Sequence, residues 1–409
     1  MTQCTRSSFE FEPHFRRALV ARFDGGPLTS DAGALLLRQV DRRMGFLRRD
    51  PLMGMLAGKR EPDQPLASKS TLCRLEWIPA TGAERDRYKK IRYDAAAIDR
   101  LLLDVFMDAH PEAPHEVGLD LDVTDTPLHG HQEGRFFHGF YDECCYLPLY
   151  IFCGDQLLAV RLREANQDAS AGSLAEVQRI VARLRNRWPK LKIILRADSG
   201  FCREELMRWC EENRVEFVFG LARNDRLRRR IGKAMRKAKA EAKRTGQAAR
   251  VFTEFRYRTR KSWSRARRVV AKAEQIEAKE NPRYVVTSLT ASAFRPRALY
   301  EELYCARGEM ENRIKEQRLL FADRMSAGIM RANQLRLYLS AAAYVLVEAL
   351  RRLALKGTEM AQAQVNTIRL RLLKIGAQIR FTTRRVVVSM ASAYPYRAVF
   401  AHAWAALRC

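Results

Sequence analysis

Residues 116–124, EVGLDLDVT, alternate without a break. Val117, Leu119, Leu121 and Val123 fall on one side of an extended chain, and Gly118, Asp120, Asp122 and Thr124 on the other. A period of two fits a half-buried strand and excludes an amphipathic helix. The stretch therefore commits the chain to a sheet with carboxylates on one of its faces. The segments after it extend that sheet. CYLPLYIFCG (145–154) and QLLAVRLRE (156–164) read as two more strands turning at Gly154-Asp155. SAGSLAEVQRIVARLRNRW (170–188) reads as a helix, KIILRAD (192–198) as a strand, REELMRWCEEN (203–213) as a helix and EFVFGLA (216–222) as a strand. Three meandering strands followed by helix–strand units predict an α/β domain with a mixed sheet flanked by helices.

The flanking segments have other patterns. LTSDAGALLLRQVDRR (28–43), with Ser30 or Asp31 as cap, LASKSTLCRLEW (66–77) and AAAIDRLLLDVFMD (95–108) read as helices, so residues 1–115 are expected to be helical. Residues 224–250 are dense in Arg, Lys and Ala, and VFTEFRYRTR, RRVVAKAEQIE and RYVVTSLT then read as a smaller, strongly basic sheet. Pro296 suits the first turn of a long helix through RALYEELYCARGEMENRIKEQRLLF. Further helices are expected at 332–354 and 358–378, with RRVVVSMASA (384–393) as a late strand. These boundaries divide the chain into a helical region over 1–115, an α/β domain over 116–342 interrupted by a β-rich basic segment at 224–295, and a helical region over 343–409.

Charge narrows the partners. Lys plus Arg number 74 against 47 Asp plus Glu, a net +27 that points to a polyanion, with nucleic acid foremost. The 9 cysteines form no CxxC pair, so a zinc finger is not expected, and reduced cytosolic thiols fit better than a disulfide framework. MTQCTRSSFEFEPHFRR lacks the apolar core of a signal peptide, and LSAAAYVLV (339–347) is too short to span a bilayer. The expectation is a soluble cytoplasmic chain with no membrane partner.

Three acidic positions stand out: Asp122 on the first strand, chosen over its neighbours Asp120 and Asp125 for its Asp-x-Thr context, Asp198 at the end of the fourth, and Glu311 in the long helix. Each has an ordinary reading, as a solvated strand residue, a helix cap and a surface helix residue respectively. Taken together in a basic chain, they suggest Mg²⁺ chemistry on a phosphodiester, since Mg²⁺ prefers oxygen ligands and a metal pair can serve both the attacking and leaving oxygens. Tyr304, Arg307, Glu311 and Arg318 share a helix face, with Lys315 on the same side. The alternative is a solvated helix in which Arg307 and Glu311 simply pair at i,i+4. Trp263, within RKSWSRARR, has two readings as well: a small-sheet core residue packing with Phe252, Phe255 and Tyr257, or a platform that stacks on a base pulled from a duplex.

The chain resembles DDE transposases of bacterial insertion sequences, most closely the group numbered thirteen-eighty. The resemblance spans nearly the whole length and rests on LTSDAGALLLRQVDRRMG, LRRDPLMGMLAG, DLDVTDTPLHGHQEG, ILRADSGF, YCARGEMENRIKE, FADRMSAGIMRANQLRL and LLKIGAQIR. It implies an RNase H-like catalytic domain with a β-rich insertion before the glutamate helix, and an N-terminal DNA-binding region. It assigns Asp122 (in an Asp-x-Thr context), Asp198 and Glu311 as catalytic and metal-holding, with Tyr304, Arg307, Lys315 and Arg318 toward DNA. Arg318 stands where the family signature has Lys, and the blocks RRMGF and LRRDP abut at Phe46-Leu47 where relatives carry a further helical segment.

The function so implied is a cut-and-paste DNA transposase of the bacterial cytoplasm and nucleoid. It would use two Mg²⁺ ions, with Mn²⁺ as a possible substitute, cut at terminal inverted repeats and transfer strands to target DNA as a homodimer. The alternative is a shortened, inactive transposase-derived DNA-binding protein acting as a repressor, which the abutting blocks favour. A host nuclease of the same fold is a third reading.

Overall fold

The structure, a computed structural model, describes residues 8–14, 17–25, 36, 93–277 and 279–408. The helices expected at 28–43 and 66–77 lie outside the described residues, Leu36 excepted. The chain divides into two compact units. One spans Asp94–Lys315 with Met325–Met330; the other takes the residues before Asp94, Glu316–Arg324 and those from Arg331 on.

The second of these units contains a four-stranded sheet of β1 (Ser8–His14), β2 (Arg17–Gly25), β16 (Arg385–Ala391) and β15 (Ala377–Phe381), in that order. Ser8–His14 and Arg17–Gly25 fall in the region expected to be helical, and they are strands instead. Their alternation, with Phe9, Phe11, Leu19 and Ala21 buried, follows period two. A C-terminal helix at Arg397–Arg408 covers the sheet, and Phe400 and Trp404 meet Phe9 edge-on at 5.2 and 5.3 Å. The helix expected at 358–378 is reduced to one turn, Val365–Ile368, running into a π segment, Arg369–Leu373.

The Asp94–Lys315 unit is built on a nine-stranded mixed sheet. Its central strands are β3 (Glu116–Val123), β7 (Leu149–Cys153), β8 (Gln156–Arg161), β9 (Lys192–Ala197) and β10 (Glu216–Gly220). In space they run β8-β7-β3-β9-β10; β3, β7 and β8 alternate antiparallel, while β9 and β10 lie parallel to β3 and to each other. The expected strand 145–154 is split. Cys145-Tyr146 end β6 (Glu143–Tyr146), which joins β4 (Thr126–Pro127) and β5 (Phe136–His138) in a three-stranded sheet, and β7 starts only at Leu149. Pro148, with no N–H to give a ladder, falls between them.

Helices α1 (Ala95–Asp108), α2 (Ser173–Arg187) and α3 (Glu204–Glu212) cover one face. Phe106, Ile180, Leu184 and Met207 pack there on Leu119, Leu121, Ile193 and Leu195. The opposite face carries Ile194, Val218, Val270 and Val285 beneath Leu299 and Tyr300. Asp120 and Asp122, two residues apart on β3, have the parity of that second face.

The basic segment departs from expectation in two ways. Residues 225–245 form helices α4 (Asp225–Arg230) and α5 (Gly232–Thr245), whose Leu227, Ile231 and Met235 are buried while Arg228, Arg229, Lys233, Arg236 and Lys237 are exposed. The strands β11 (Ala249–Tyr257), β12 (Arg267–Ile276) and β14 (Arg283–Thr287) do not form a separate small sheet. They continue the main one, because β14 pairs antiparallel with β10 and β12 with β14; a short β13 (Lys279–Glu280) pairs β12. Among the described residues no helix is long and apolar enough to cross a membrane.

Trp263 is 3% exposed. Its ring meets Tyr257 edge-on at 5.7 Å, and the Arg267 guanidinium lies 5.6 Å from its centroid. Arg267 is itself held by Glu204 (2.6 Å) and Glu211 (2.7 Å) of α3. The indole has no face left for a base, so the platform reading is not met and the core reading is. Of the expected partners, Phe255 shares its core and Phe252 packs on the other face, since the two differ in strand parity. Trp263→Ala should destabilise the protein by about 3–5 kcal/mol, and Trp263→Phe by less, read as a drop in the urea midpoint.

Candidate active site

β3 and β9 run parallel with Glu116 opposite Lys192 and Asp120 opposite Arg196. Asp120 is 2% exposed, and Arg196 grips it with both prongs, Nε to Oδ1 at 2.6 Å and Nη2 to Oδ2 at 2.7 Å. The third guanidinium nitrogen, Nη1, donates to the Leu303 carbonyl at 3.1 Å. Asp120 is thereby fully engaged in structure. The register ends with Leu121 opposite Ala197, and the next residues, Asp122 and Asp198, lie close enough for their charges to interact, at the carboxyl ends of neighbouring parallel strands where α/β sheets collect their sites.

Asp198 directly follows β9 and caps the 3₁₀ turn Ser199–Phe201, its Oδ1 accepting from Gly200 N at 2.8 Å. Capping uses one oxygen, so the cap and a ligand role are compatible. Asp122 Oδ1 accepts from Val123 N at 2.9 Å, and Oδ2 from Arg307 Nη1 at 2.8 Å. Burial pushes the Asp122 carboxyl up to about 6; Arg307 opposes the rise, while the charges of Asp198 and Glu311 add to it.

The third carboxylate arrives on a helical run that changes pitch. Pro296–Ala298 is α-helical, Leu299–Tyr304 is a π segment, Cys305–Arg307 is 3₁₀, and Gly308–Leu319 (α6) is α-helical again. The sequence periodicity implies one regular helix, and nothing in it marks the π turn. Gly308, costly in mid-helix, stands where the 3₁₀ turn hands over to α6. Arg307 Nη2 lies 3.6 Å from Glu311 Oε1, so one guanidinium bridges Asp122 and Glu311. Its Nε is buried without a hydrogen-bond partner. Tyr304 is half-buried above Gly220, the last residue of β10. A Cβ on Gly220 would meet both Tyr304 Oη and Ser199 N at 2.8 Å, and Asp198 C at 3.1 Å. Burial raises the Tyr304 phenol, and Asp198 adds to the rise against Arg307.

Asp122, Asp198, Arg307, Glu311 and Tyr304 are thus brought together. Lys315 is exposed on α6, two turns from Arg307, and Arg318 lies further along the same helix. Sequence reasoning missed Arg196 and Gly220. The signal for the first was its place opposite Asp120 on a buried strand; Gly220, ending a strand of large apolar residues, was the signal for the second. Among the described residues no three His, Cys, Asp or Glu side chains stand close enough to cage an ion as they are. The donor set nevertheless suits a hard cation. It is all carboxylate oxygen, its members raise one another's affinity for positive charge, and a guanidinium occupies it as a stand-in.

Fold and site together define a mixed α/β protein with a carboxylate-centred site at the carboxyl edge of its sheet. The family model described as "Transposase DDE domain group 1" matches residues 46–409, and the chain belongs to that family. No curated protein matches the chain. Among solved structures, one similar in part is titled "Cryo-EM structure of piggyBac transposase synaptic complex with hairpin DNA". Identity is 10% and the TM-score 0.36, over 64% of this chain and 52% of that one, so the match spans about half the length of that transposase. A likeness at this level carries no inference about activity.

Two outcomes test the geometry. In metal-free buffer, the folded Asp122 carboxyl keeps its proton up to about pH 6, while the unfolded one loses it near 3.8. Between those values the native state binds more protons, so wild-type stability falls as pH rises. Asp122→Asn lacks this term. Its unfolding free energy relative to wild type should therefore climb from about pH 4 to about pH 6 and then level off, as urea titrations would show. Gly220→Ala should destabilise by about 1–3 kcal/mol through overpacking against Ser199 and Tyr304, where Ala at an open glycine would not.

Proposed function

We propose that this chain is a DDE transposase of the insertion-sequence type, of group thirteen-eighty, that cuts DNA at terminal inverted repeats and joins the freed ends to target DNA. The observation that carries the reading is the rung of like charge. Asp122 and Asp198 share the carboxyl edge of adjacent parallel strands, with Arg307 and Glu311 facing them from one helical run. The spatial order β8-β7-β3-β9-β10 supports an RNase H-like core, with residues 224–295 as an insertion that extends its sheet.

Asp122, Asp198 and Glu311 would hold Mg²⁺, or Mn²⁺ in its place. When bound, the metal pair supplies activation of the attacking oxygen and stabilisation of the leaving one. The chain's own residues do the rest. Asp198 is fixed in direction by its bond from Gly200 N. Arg307 carries a guanidinium fork suited to a phosphate and stands between Asp122 and Glu311. Tyr304 braces Arg307 and walls the site. Lys315 and Arg318 follow along α6 toward the DNA backbone. Residues 224–295, with the exposed cations of α4 and α5, would clamp the duplex, and the N-terminal region over 1–115 would recognise the ends. A homodimer would pair two ends in the bacterial nucleoid.

The test is in vitro cutting of a duplex that carries the repeats flanking the gene, with Mg²⁺. Asp198→Ala and Glu311→Gln should abolish cutting while DNA binding persists. Asp120→Asn should instead cost about 3–5 kcal/mol of stability by stranding Arg196, with cutting retained in the folded fraction. DNA binding by wild type with no cutting in Mg²⁺ or Mn²⁺ would favour the repressor reading. Normal cutting by Asp122→Asn together with none by Asp120→Asn would exchange their roles.

A further inference from the structure

Helix α6 ends at Leu319 in a closure that its sequence does not favour. Ala322 N donates to Gln317 O at 3.1 Å and Phe321 N to Arg318 O at 3.0 Å, the two bonds of a Schellman motif. That motif needs a left-handed residue, usually glycine, and Phe321 takes the place at φ 68°. The other non-glycine residues with positive φ among those described are Asp142, Arg214 and Glu277, all polar. A bulky ring held against backbone preference marks a functional position. Packing does not account for it, because Phe321 is 55% exposed.

What lies on the ring is charge. The Arg324 guanidinium stands over it at 5.7 Å from the centroid, and the Arg369 guanidinium at 5.3 Å. Arg324 is 73% exposed, and its carboxylate partner is the adjoining Asp323, at 3.8 Å. Arg369 opens the π segment Arg369–Leu373. Its Nη2 donates to Asn366 Oδ1 at 3.0 Å and its Nη1 to Leu319 O at 3.4 Å, while its Nε is buried with no hydrogen-bond partner. Residues 317–324 and 365–374 together hold Arg318, Arg324, Arg369, Arg371 and Lys374 against Asp323. Two cations gathered on one ring repel each other, and the negative faces of the ring offset only part of that. An anion between them offsets the rest.

We propose that Arg324 and Arg369, held by the ring of Phe321, form a binding site for a backbone phosphate of duplex DNA. The inference rests on the transposase reading, which supplies the polyanion that a net +27 calls for. The guanidinium fork matches phosphate geometry, and a ring on which both forks rest fixes their spacing before DNA arrives. The ring already carries two guanidiniums, so its part is to position them. A phosphate carries no sequence, so the contact orients the protein on any duplex. The rival is a contact between two copies of the chain through Phe321 with Leu319 and Leu370, which are also exposed.

The test measures binding in EDTA, over a salt series, of two duplexes of one length: the repeats flanking the gene and a scrambled sequence. Arg324→Gln/Arg369→Gln should lower the slope of log affinity against log salt by about two on both duplexes. Phe321→Leu, which removes the ring and keeps the strained backbone, should weaken both by about threefold or more. Phe321→Gly should raise the urea midpoint by relieving the backbone and still weaken both duplexes, which separates the ring's part in binding from any part in the fold. An unaltered slope in the double glutamine variant, or wild-type binding by Phe321→Gly, overturns the proposal and leaves the transposase reading standing. A lowered midpoint in Phe321→Gly returns the ring to packing and overturns it as well. So does a shift of Phe321→Gly from dimer to monomer with slope and affinity retained, which makes the patch a contact between copies. Failure of wild type to bind either duplex overturns the transposase reading itself.

Discussion

A single guanidinium sets the geometry on which the site depends. Arg196 reaches Asp120 across two parallel strands with two bonds and the Leu303 carbonyl with a third. A slip of one residue between β3 and β9 would leave Asp120 facing Leu195 or Ala197, with a buried carboxylate unpaired at a cost of several kcal/mol. The register is therefore held by charge as well as by the apolar pattern. Because side chains repeat every two residues, locking the favourable pair forces the next rung on that face to be Asp122 beside Asp198. A stabilising pair thus fixes a destabilising one, and the sheet tolerates the second because it cannot give up the first.

The like-charge rung needs a compensating cation, and the helical run supplies it. Arg307 comes after a π turn and ends a 3₁₀ turn, and both rotate the residues they carry relative to a regular α-helix. The same run is tied to β9 through Leu303 and approaches β10 where Gly220 has no side chain. Irregular pitch is thus confined between two anchored points. Its product is a face on which a tyrosine, an arginine and a glutamate meet two strand-borne aspartates.

Much of this is legible in the sequence. The alternation in 116–124, the helix at 95–108 and the strand–helix order through residue 220 follow from periodicity, and the structure has them. Asp122, Asp198 and Glu311 lie on the strand, at the strand end and on the helix that the sequence gives them, but contacts between them do not follow from periodicity. Three features do not show. The basic strands β11, β12 and β14 extend the main sheet because of pairing between β14 and β10, and edge pairing leaves no mark in local pattern. Trp263 draws attention through its charged neighbours, yet Arg267 turns its charge inward to Glu204 and Glu211 and covers the ring. A count of nearby cations cannot tell which of them face solvent. Phe9 and Phe11 alternate with glutamates, but Ala18-Leu19-Val20-Ala21 is an unbroken apolar run, and the helical pattern of the longer segments beyond hides both strands.

Exposed positive charge and clustered carboxylates occupy different elements. The net +27 acts at long range, and its exposed share on α4 and α5 can draw a polyanion without any carboxylate taking part. At the sheet edge the local sign is reversed. Asp122, Asp198 and Glu311 outnumber the one arginine among them, and a phosphate placed there would be repelled. Those three carboxylates are the groups that would hold a hard cation, which would supply the positive charge needed there, and Arg307 carries the one guanidinium fork among them suited to a phosphate. On the proposed reading, the exposed cations of α4 and α5 would gather DNA, and the three carboxylates with Arg307 would meet it where it is cut.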